Sequence, residues 1–394
     1  MFKKFIIIII LLGILLVGFE LVLDLVNYET DVLFQYQPSF GWSHMSNKTF
    51  WYMGNSFSIN NDGFRDAYRL RGKTKGLIRV AFVSSHYLRG TNSSYQNLAT
   101  TILDESWNKN EKRKIEIFNF AMPKYNLKMT HFLIKEMTER YEIDYFIYLF
   151  DPQKDPMTVA GNSDIVRYGP ALVFGESGEI LEQYEFERAP FASDWYKGYQ
   201  TYQLVNNIYD RLRKGDEEED EDERDSFEPY PEIYFDNMKS ELGFGTLDET
   251  GKIMDYIVEN NESKVYFLIL PPQHTQFFNY YEENGNLDTF NTREFMSYMK
   301  EFHGWEFNDF LDDVLYFMEQ VRGNNFDVSN LGLRLKERME NKTRVIDLSN
   351  EFLGFIDEES SDGFLFNWHR RDAGQRFLAE ILEAKVIPML LSDD

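Results

Sequence analysis

Five short apolar runs punctuate the chain beyond residue 77: Ile78–Val83, Ile115–Phe120, Tyr145–Phe150, Val265–Leu270 and Thr343–Leu348. Each is rich in Val, Ile, Phe and Tyr with little polar interruption, as parallel strands buried on both faces are. Helical segments fall between them, for example Gln96–Trp107 and Leu127–Arg140. The alternation predicts an α/β fold, a doubly wound, mostly parallel five-stranded sheet sandwiched between helices. In such sheets the functional site lies outside the carboxyl ends of the strands. The residues just after each run are therefore where chemistry is to be sought.

The N-terminus reads differently. Met1-Phe2-Lys3-Lys4 precedes an apolar run from Phe5 to Phe19, which Glu20 and Asp24 interrupt before it ends at Val26. Continued to Val26, it reaches the roughly 20 residues that a spanning helix needs. The residues after the run are bulky, with no small-x-small cleavage pattern. Residues 1–27 are therefore expected to be a signal anchor. The two lysines favour an inside N-terminus, with the body on the extracytoplasmic side.

Residues 28–75 read as a lead-in segment, with Asn60-Asn61-Asp62-Gly63 as turn chemistry. Residues 76–394 form the main domain. An insertion around 157–244 breaks its strand–helix order and carries the acidic run Gly215–Asp225. Like charges at that density repel one another and predict a solvated loop.

With 35 Phe and 24 Tyr in 394 residues, the chain has ample material for a core. The net charge of −25 argues against nucleic-acid binding, which relies on clustered cations, and against the soluble part lying flat on an anionic lipid surface, so no nucleic-acid partner is expected. The absence of cysteine excludes disulfides, thiolate metal sites and a cysteine nucleophile. Neither His86 nor His274 has metal-ligand spacing with another histidine or carboxylate, and neither a metal nor another cofactor is expected.

The first strand ends in Ser84-Ser85-His86, and far downstream stands Asn367-Trp368-His369-Arg370-Arg371. A hydroxyl where a strand meets a helix, together with an imidazole, is the minimal kit for nucleophilic acyl transfer. By residue type alone, Ser85 could equally be a helix N-cap, and Ser84 is the alternative nucleophile one position away. His86 and His274 also lie at strand ends. Arg89, Arg370 and Arg371 could receive an anionic substrate or simply balance local acidity.

Taken together, these motifs resemble the SGNH (GDSL-type) hydrolases, in particular membrane-anchored members of the bacterial envelope. Asn60-Asn61-Asp62-Gly63-Phe64-Arg65 is similar to the N-x-x-G-F-R lead-in of such proteins. Phe82-Val83-Ser84-Ser85 stands for the Gly-Asp-Ser block, and Asn119-Phe120-Ala121-Met122-Pro123-Lys124-Tyr125 for the Asn-Phe-Gly block. Phe150-Asp151-Pro152-Gln153-Lys154 stands for Phe-x-x-Asn-Asp, and Asn367-Trp368-His369, with Gly374, for the Asp-x-His block.

The resemblance implies Ser85 as nucleophile, His369 as base and Asn367 as the residue that orients it. It assigns the oxyanion donors to the backbone N–H groups of Ser85 and Ala121 and the side-chain amide of Gln153. Every block departs from the family pattern. Val83-Ser84 replaces Gly-Asp, Ala121 replaces glycine, Gln153 replaces asparagine and Asn367 replaces aspartate. An amide at 367 orients the imidazole without the charge that stabilises imidazolium; in serine proteases the equivalent change costs about 10⁴ in turnover.

Two functions are expected from this pattern. One is an envelope-anchored serine esterase or O-acyltransferase acting on acyl groups, most plausibly acetyl, of a cell-surface polysaccharide. The other is a catalytically silent protein of the same fold that binds or assembles envelope components, including envelope proteins.

Overall fold

The computed structural model describes residues 2–26, 28, 33–52, 54–85, 87–91, 93–109, 115–123, 125–150, 155, 159, 169–175, 177–185, 200–214, 242–269, 331–348 and 372–392. The acidic run 215–225 lies outside them.

The centre is a five-stranded parallel sheet made of β5 (Ile78–Val83), β6 (Ile115–Asn119), β7 (Tyr145–Phe150), β10 (Lys264–Ile269) and β11 (Val345–Asp347). Across the sheet the order is β11-β10-β7-β5-β6. Counted along the chain, that is 2-1-3-4-5, a common doubly wound order. Because side chains alternate across a strand, the sheet carries two cores. Ala81, Val83, Phe118, Phe146, Tyr148, Val265 and Phe267 face one side. Val80, Phe82, Ile115, Ile117, Tyr145, Ile147 and Leu268 face the other.

Helices cover both faces. On the first lie α3 (Leu127–Tyr141), α5 (Leu242–Glu259) and α6 (Leu331–Arg338). On the second lie α2 (Ala99–Lys109) and the C-terminal run of α7 (Asp372–Ile381), a π-helical stretch (Leu382–Val386) and α8 (Ile387–Ser392). Helix α3 starts at Asn126, whose side chain accepts the Met129 N–H, and stops at Glu142 in the left-handed conformation, as helix caps commonly do. The predicted α/β class is therefore the observed one. Strand ends shift by a residue or two, and Thr343 and Arg344, predicted as strand, belong to a 3₁₀ turn (Lys342–Arg344).

Helix α1 (Phe2–Leu25) contains an 18-residue window, Ile6–Leu23, with mean hydropathy 3.1 and only 6% of it buried. It is long and apolar enough to cross a membrane, as an anchor or a signal sequence would be. Within the expected insertion the chain builds a hairpin, β8 (Ala171–Phe174) with β9 (Ile180–Gln183), and helix α4 (Gln200–Lys214). His131 on α3 holds this hairpin through Glu182 at 2.7 Å. Burial alone would raise the pKa of Glu182, but hydrogen bonds from Tyr184, His131 and Lys135 outweigh it and hold the carboxyl at about 2.

The lead-in segment is more structured than its sequence suggests. It forms two hairpins, β1 (Phe34–Gln37) with β2 (Gly41–His44) and β3 (Thr49–Tyr52) with β4 (Asn55–Ser58). Beyond them the chain runs along the outer edge of β6. There Asp66 accepts the Asn119 N–H at 3.4 Å, and Arg69 donates to the Ile117 carbonyl. From α2, Asp104 accepts the Ile117 N–H at 2.9 Å. An edge strand's backbone groups are thus satisfied by side chains rather than left as a template for another chain.

Arg69 joins both carboxylates, at 3.1 Å from Asp66 and 3.0 Å from Asp104. Removing one partner of a buried pair leaves the other charge uncompensated. Arg69→Ala is therefore expected to lower the unfolding free energy by about 3–5 kcal/mol, read from urea denaturation. A loss below about 1 kcal/mol would place this pair among weak surface bridges.

Candidate functional site

The carboxyl end of β5 is the switch point of the sheet, since its neighbours β6 and β7 leave in opposite directions across the strand order. Crevices open at such points because the loops after the two adjacent strands diverge to opposite faces. Ser84 and Ser85 stand there. Ser84 is fully buried; its Oγ accepts the Leu88 N–H at 3.2 Å, and its carbonyl accepts the Met122 N–H at 3.0 Å. Its hydroxyl is committed to shaping the turn. Ser85, the next residue, is half-buried at the bend. Of the two serines, geometry gives Ser85 the more accessible position.

Asn119, at the end of β6, ties the two site loops together. Its Nδ2 donates to the Leu88 carbonyl at 3.0 Å, and its Oδ1 accepts the Ala121 N–H at 3.0 Å. This bears on the expected oxyanion donors. The Ala121 N–H is not aimed at an open position; it is engaged by the Asn119 amide, and the Met122 N–H by Ser84. Ala121 itself has a negative φ, so the missing glycine costs the backbone nothing there.

The serine loop is held from behind by the lead-in segment. Asn60 Oδ1 accepts the N–H groups of Asp62 and Phe64, at 3.1 and 3.0 Å. Gly63 has φ +88°, and a Cβ on it would lie 2.6 Å from the His44 carbonyl oxygen. The turn requires glycine for both reasons. It sends Phe64 into the core and Arg65 behind the loop.

The Arg65 guanidinium donates to the carbonyls of Arg89 at 2.8 Å, Ser93 at 2.6 Å, Ser56 at 3.4 Å and Gly90. It also stacks 4.2 Å from the centroid of the Phe57 ring. Burial, and then the Arg89 charge, lower its proton affinity to about 9. Arg89, expected as an anion receiver, stands 5.2 Å over the same ring.

The loop after β6 is fixed in a similar way. Trp42 Nε1 donates to the Pro123 carbonyl at 3.2 Å, and Tyr125 Oη donates to the Trp42 carbonyl at 2.7 Å.

From the C-terminal side, Gln375 is fully buried. Its Nε2 donates to the Tyr87 carbonyl at 2.8 Å, and its Oε1 accepts the Ala99 N–H at 2.9 Å. Asp372 accepts from Asn97 Nδ2 at 2.6 Å. The start of α7 is thereby bound to the serine loop and to the start of α2.

His369, Asn367, Gln153, His86, His274, Arg370 and Arg371 lie outside the described residues. Compared with protein-family models, curated proteins and solved structures, the chain matches none. Among the described residues, no three His, Asp or Glu side chains form a group able to hold a metal ion.

Reading the sequence missed Asn119, Gln375 and Arg65 as positioning residues. Asn119 and Arg65 stood inside the quoted motifs, and it is their burial that shows what they do. Gln375 had no signal beyond its nearness to His369 in the chain.

Arg65→Lys retains the charge but loses the planar fork that reaches several carbonyls at once. It is expected to raise amide hydrogen exchange across residues 87–98 while α3 stays protected. It should also cost about 1–3 kcal/mol, as a buried polar group left unpaired does. Unchanged exchange in that loop would show that the arginine does not order it.

His44 supplies a pH signature. It is fully buried, its Nδ1 donates to the Gly63 carbonyl at 3.1 Å, and burial, then Arg89, hold its pKa well below the usual 6.5. As pH falls below 6.5, the unfolded chain takes a proton that the native state refuses. Stability should therefore fall on acidification, by at most about 1.4 kcal/mol per pH unit for this group. His131, whose pKa burial also lowers, adds to the same limb. Urea unfolding between pH 7.5 and 5 should show the limb, and His44→Gln should flatten it in part; an unchanged limb would remove His44 as a source.

Proposed function

We propose that this protein is an SGNH-like serine esterase or O-acyltransferase of the cell envelope, anchored by α1 with its body outside the cytoplasm. It would act on acyl groups, chiefly acetyl, of a surface polysaccharide. The observation that carries the reading is the placement of Ser85. It is the accessible serine at the carboxyl end of the first sheet strand, at the switch point, beside a Ser84 committed to the turn. The binding of α7 to the same loop through Gln375, and to the start of α2 through Asp372, supports it, because His369 precedes Asp372 by only three residues. Three residues of chain span at most about 11 Å.

In this reading Ser85 Oγ attacks the acyl carbon while its proton passes to His369. The carbonyl oxygen takes the negative charge, held by the Ser85 N–H and the Gln153 amide. His369 then returns the proton to the departing sugar oxygen, leaving an acyl-Ser85. Water, or a second sugar hydroxyl, then gives its proton to His369 and attacks the acyl carbon; the bond to Ser85 Oγ breaks, and His369 returns that proton to Ser85 as the acyl group leaves. Asn367 orients the imidazole without supplying charge.

One observation favours the second reading, a silent binding or assembly protein: the Ala121 N–H is held by Asn119 rather than offered to an oxyanion. Purified full-length protein with an activated acetyl ester separates the two. The enzyme reading expects slow hydrolysis, abolished by Ser85→Ala and raised by Asn367→Asp, since a carboxylate stabilises the imidazolium. Activity lost in Ser84→Ala but surviving Ser85→Ala would move the nucleophile by one residue. No turnover in the folded wild type or in Asn367→Asp would leave the binding reading standing.

A further inference from the structure

Helix α1 carries one charged residue inside its apolar window, Glu20. A carboxylate at that position is costly unless something satisfies it. In this structure α4 does so: Glu20 Oε2 accepts the Thr201 N–H at 2.8 Å and the Thr201 hydroxyl at 2.7 Å. The first turn of α4 is thereby fixed at the level of Glu20. That is three residues short of Leu23, where the window ends, about 5 Å along the helix axis. Gln203 is buried, but Tyr202, Val205, Ile208 and Tyr209 remain 37–61% exposed. At 100° per residue these four share one side of α4.

We infer that α4 is an interfacial helix that lays Tyr202, Val205, Ile208 and Tyr209 into the lipid boundary of the bilayer that α1 crosses. The inference rests on the anchor reading of α1. The lipid surface is the occupant because the apolar side of α4 begins where the lipid-facing surface of α1 ends, and the Glu20–Thr201 contact joins the two. Tyrosine suits this depth, since its ring is apolar and its hydroxyl reaches water. The anchor would then hold the body at two points, limiting its rotation above the membrane.

The chain has no cysteine, so single cysteines can report depth without a background. Full-length variants Leu15→Cys, Val205→Cys, Ile208→Cys, Tyr209→Cys and Lys109→Cys would be labelled with an environment-sensitive fluorophore. They would be reconstituted in phosphatidylcholine–phosphatidylglycerol vesicles and quenched either by nitroxide-bearing lipid or by aqueous iodide. Leu15→Cys reports the anchor, and Lys109→Cys, 76% exposed on the body, reports water. The expected result is lipid quenching at 15, 205, 208 and 209 at least twofold that at 109, with iodide quenching reduced by a similar factor. Lipid quenching at 15 with full iodide access at 205, 208 and 209 would overturn the inference and leave the anchor. Shielding of those three from both quenchers would overturn it in favour of a protein contact. No lipid quenching at 15 would overturn the anchor reading, and the α4 inference with it.

Discussion

The candidate site depends on a buried guanidinium. Arg65 is almost wholly removed from solvent, and its hydrogen-bond partners in the serine loop are backbone carbonyls rather than a carboxylate. Burying a cation without a counter-ion is expensive, and the cost shows in its lowered proton affinity. What the arrangement provides is geometric. Five donors in one rigid plane gather the carbonyls of Arg89, Gly90 and Ser93, so the loop after Ser85 has few ways to relax. Gln375 from α7 and Asn119 from β6 hold Tyr87 and Leu88 in the same loop. Three separate parts of the chain therefore converge on one short segment. Such a support behind a loop is what a precisely positioned reacting group requires.

The sheet was legible because its strands are buried on both faces. Apolar runs such as Tyr145–Phe150 leave no polar residue to confuse the period. The anchor candidate α1 was legible by length and hydropathy. The lead-in hairpins were not, because Gln35, Ser43 and Ser56 interrupt any simple alternation. Gln35 and Ser43 are satisfied by each other across β1 and β2, a pairing visible only once the register exists. Arg69 and Asp66 are similar: in sequence they read as ordinary surface charge, yet they complete the hydrogen bonding of the β6 edge.

At the candidate site, the motif blocks directed attention to the loops after β5 and β6. They also treated those loops as two independent sources of donors, and here the structure differs. Asn119 links them, with one amide group holding Leu88 in the first loop and Ala121 in the second. A pattern of single letters cannot distinguish a backbone N–H aimed at a substrate from one engaged by its neighbour two residues back. The Ser84–Ser85 ambiguity was of the same kind: single letters do not show that Ser84 is buried and Ser85 only partly so.

This linkage changes what the unusual residues before Ser85 mean. Where the family pattern has Gly-Asp before its serine, this chain has Val83 and Ser84. Val83 is fully buried in the core on the α3 face, and the Ser84 hydroxyl accepts the Leu88 N–H. The turn is thus closed by a short neutral hydroxyl. An aspartate there would bring a full negative charge into a fully buried position, with the desolvation cost that entails. A neutral Ser84 avoids that cost and still closes the turn. The departure at residue 84 is therefore compatible with the acyl-transfer reading. What weighs against that reading is not the alanine at 121 but the hydrogen bond from Asn119 that already engages its N–H.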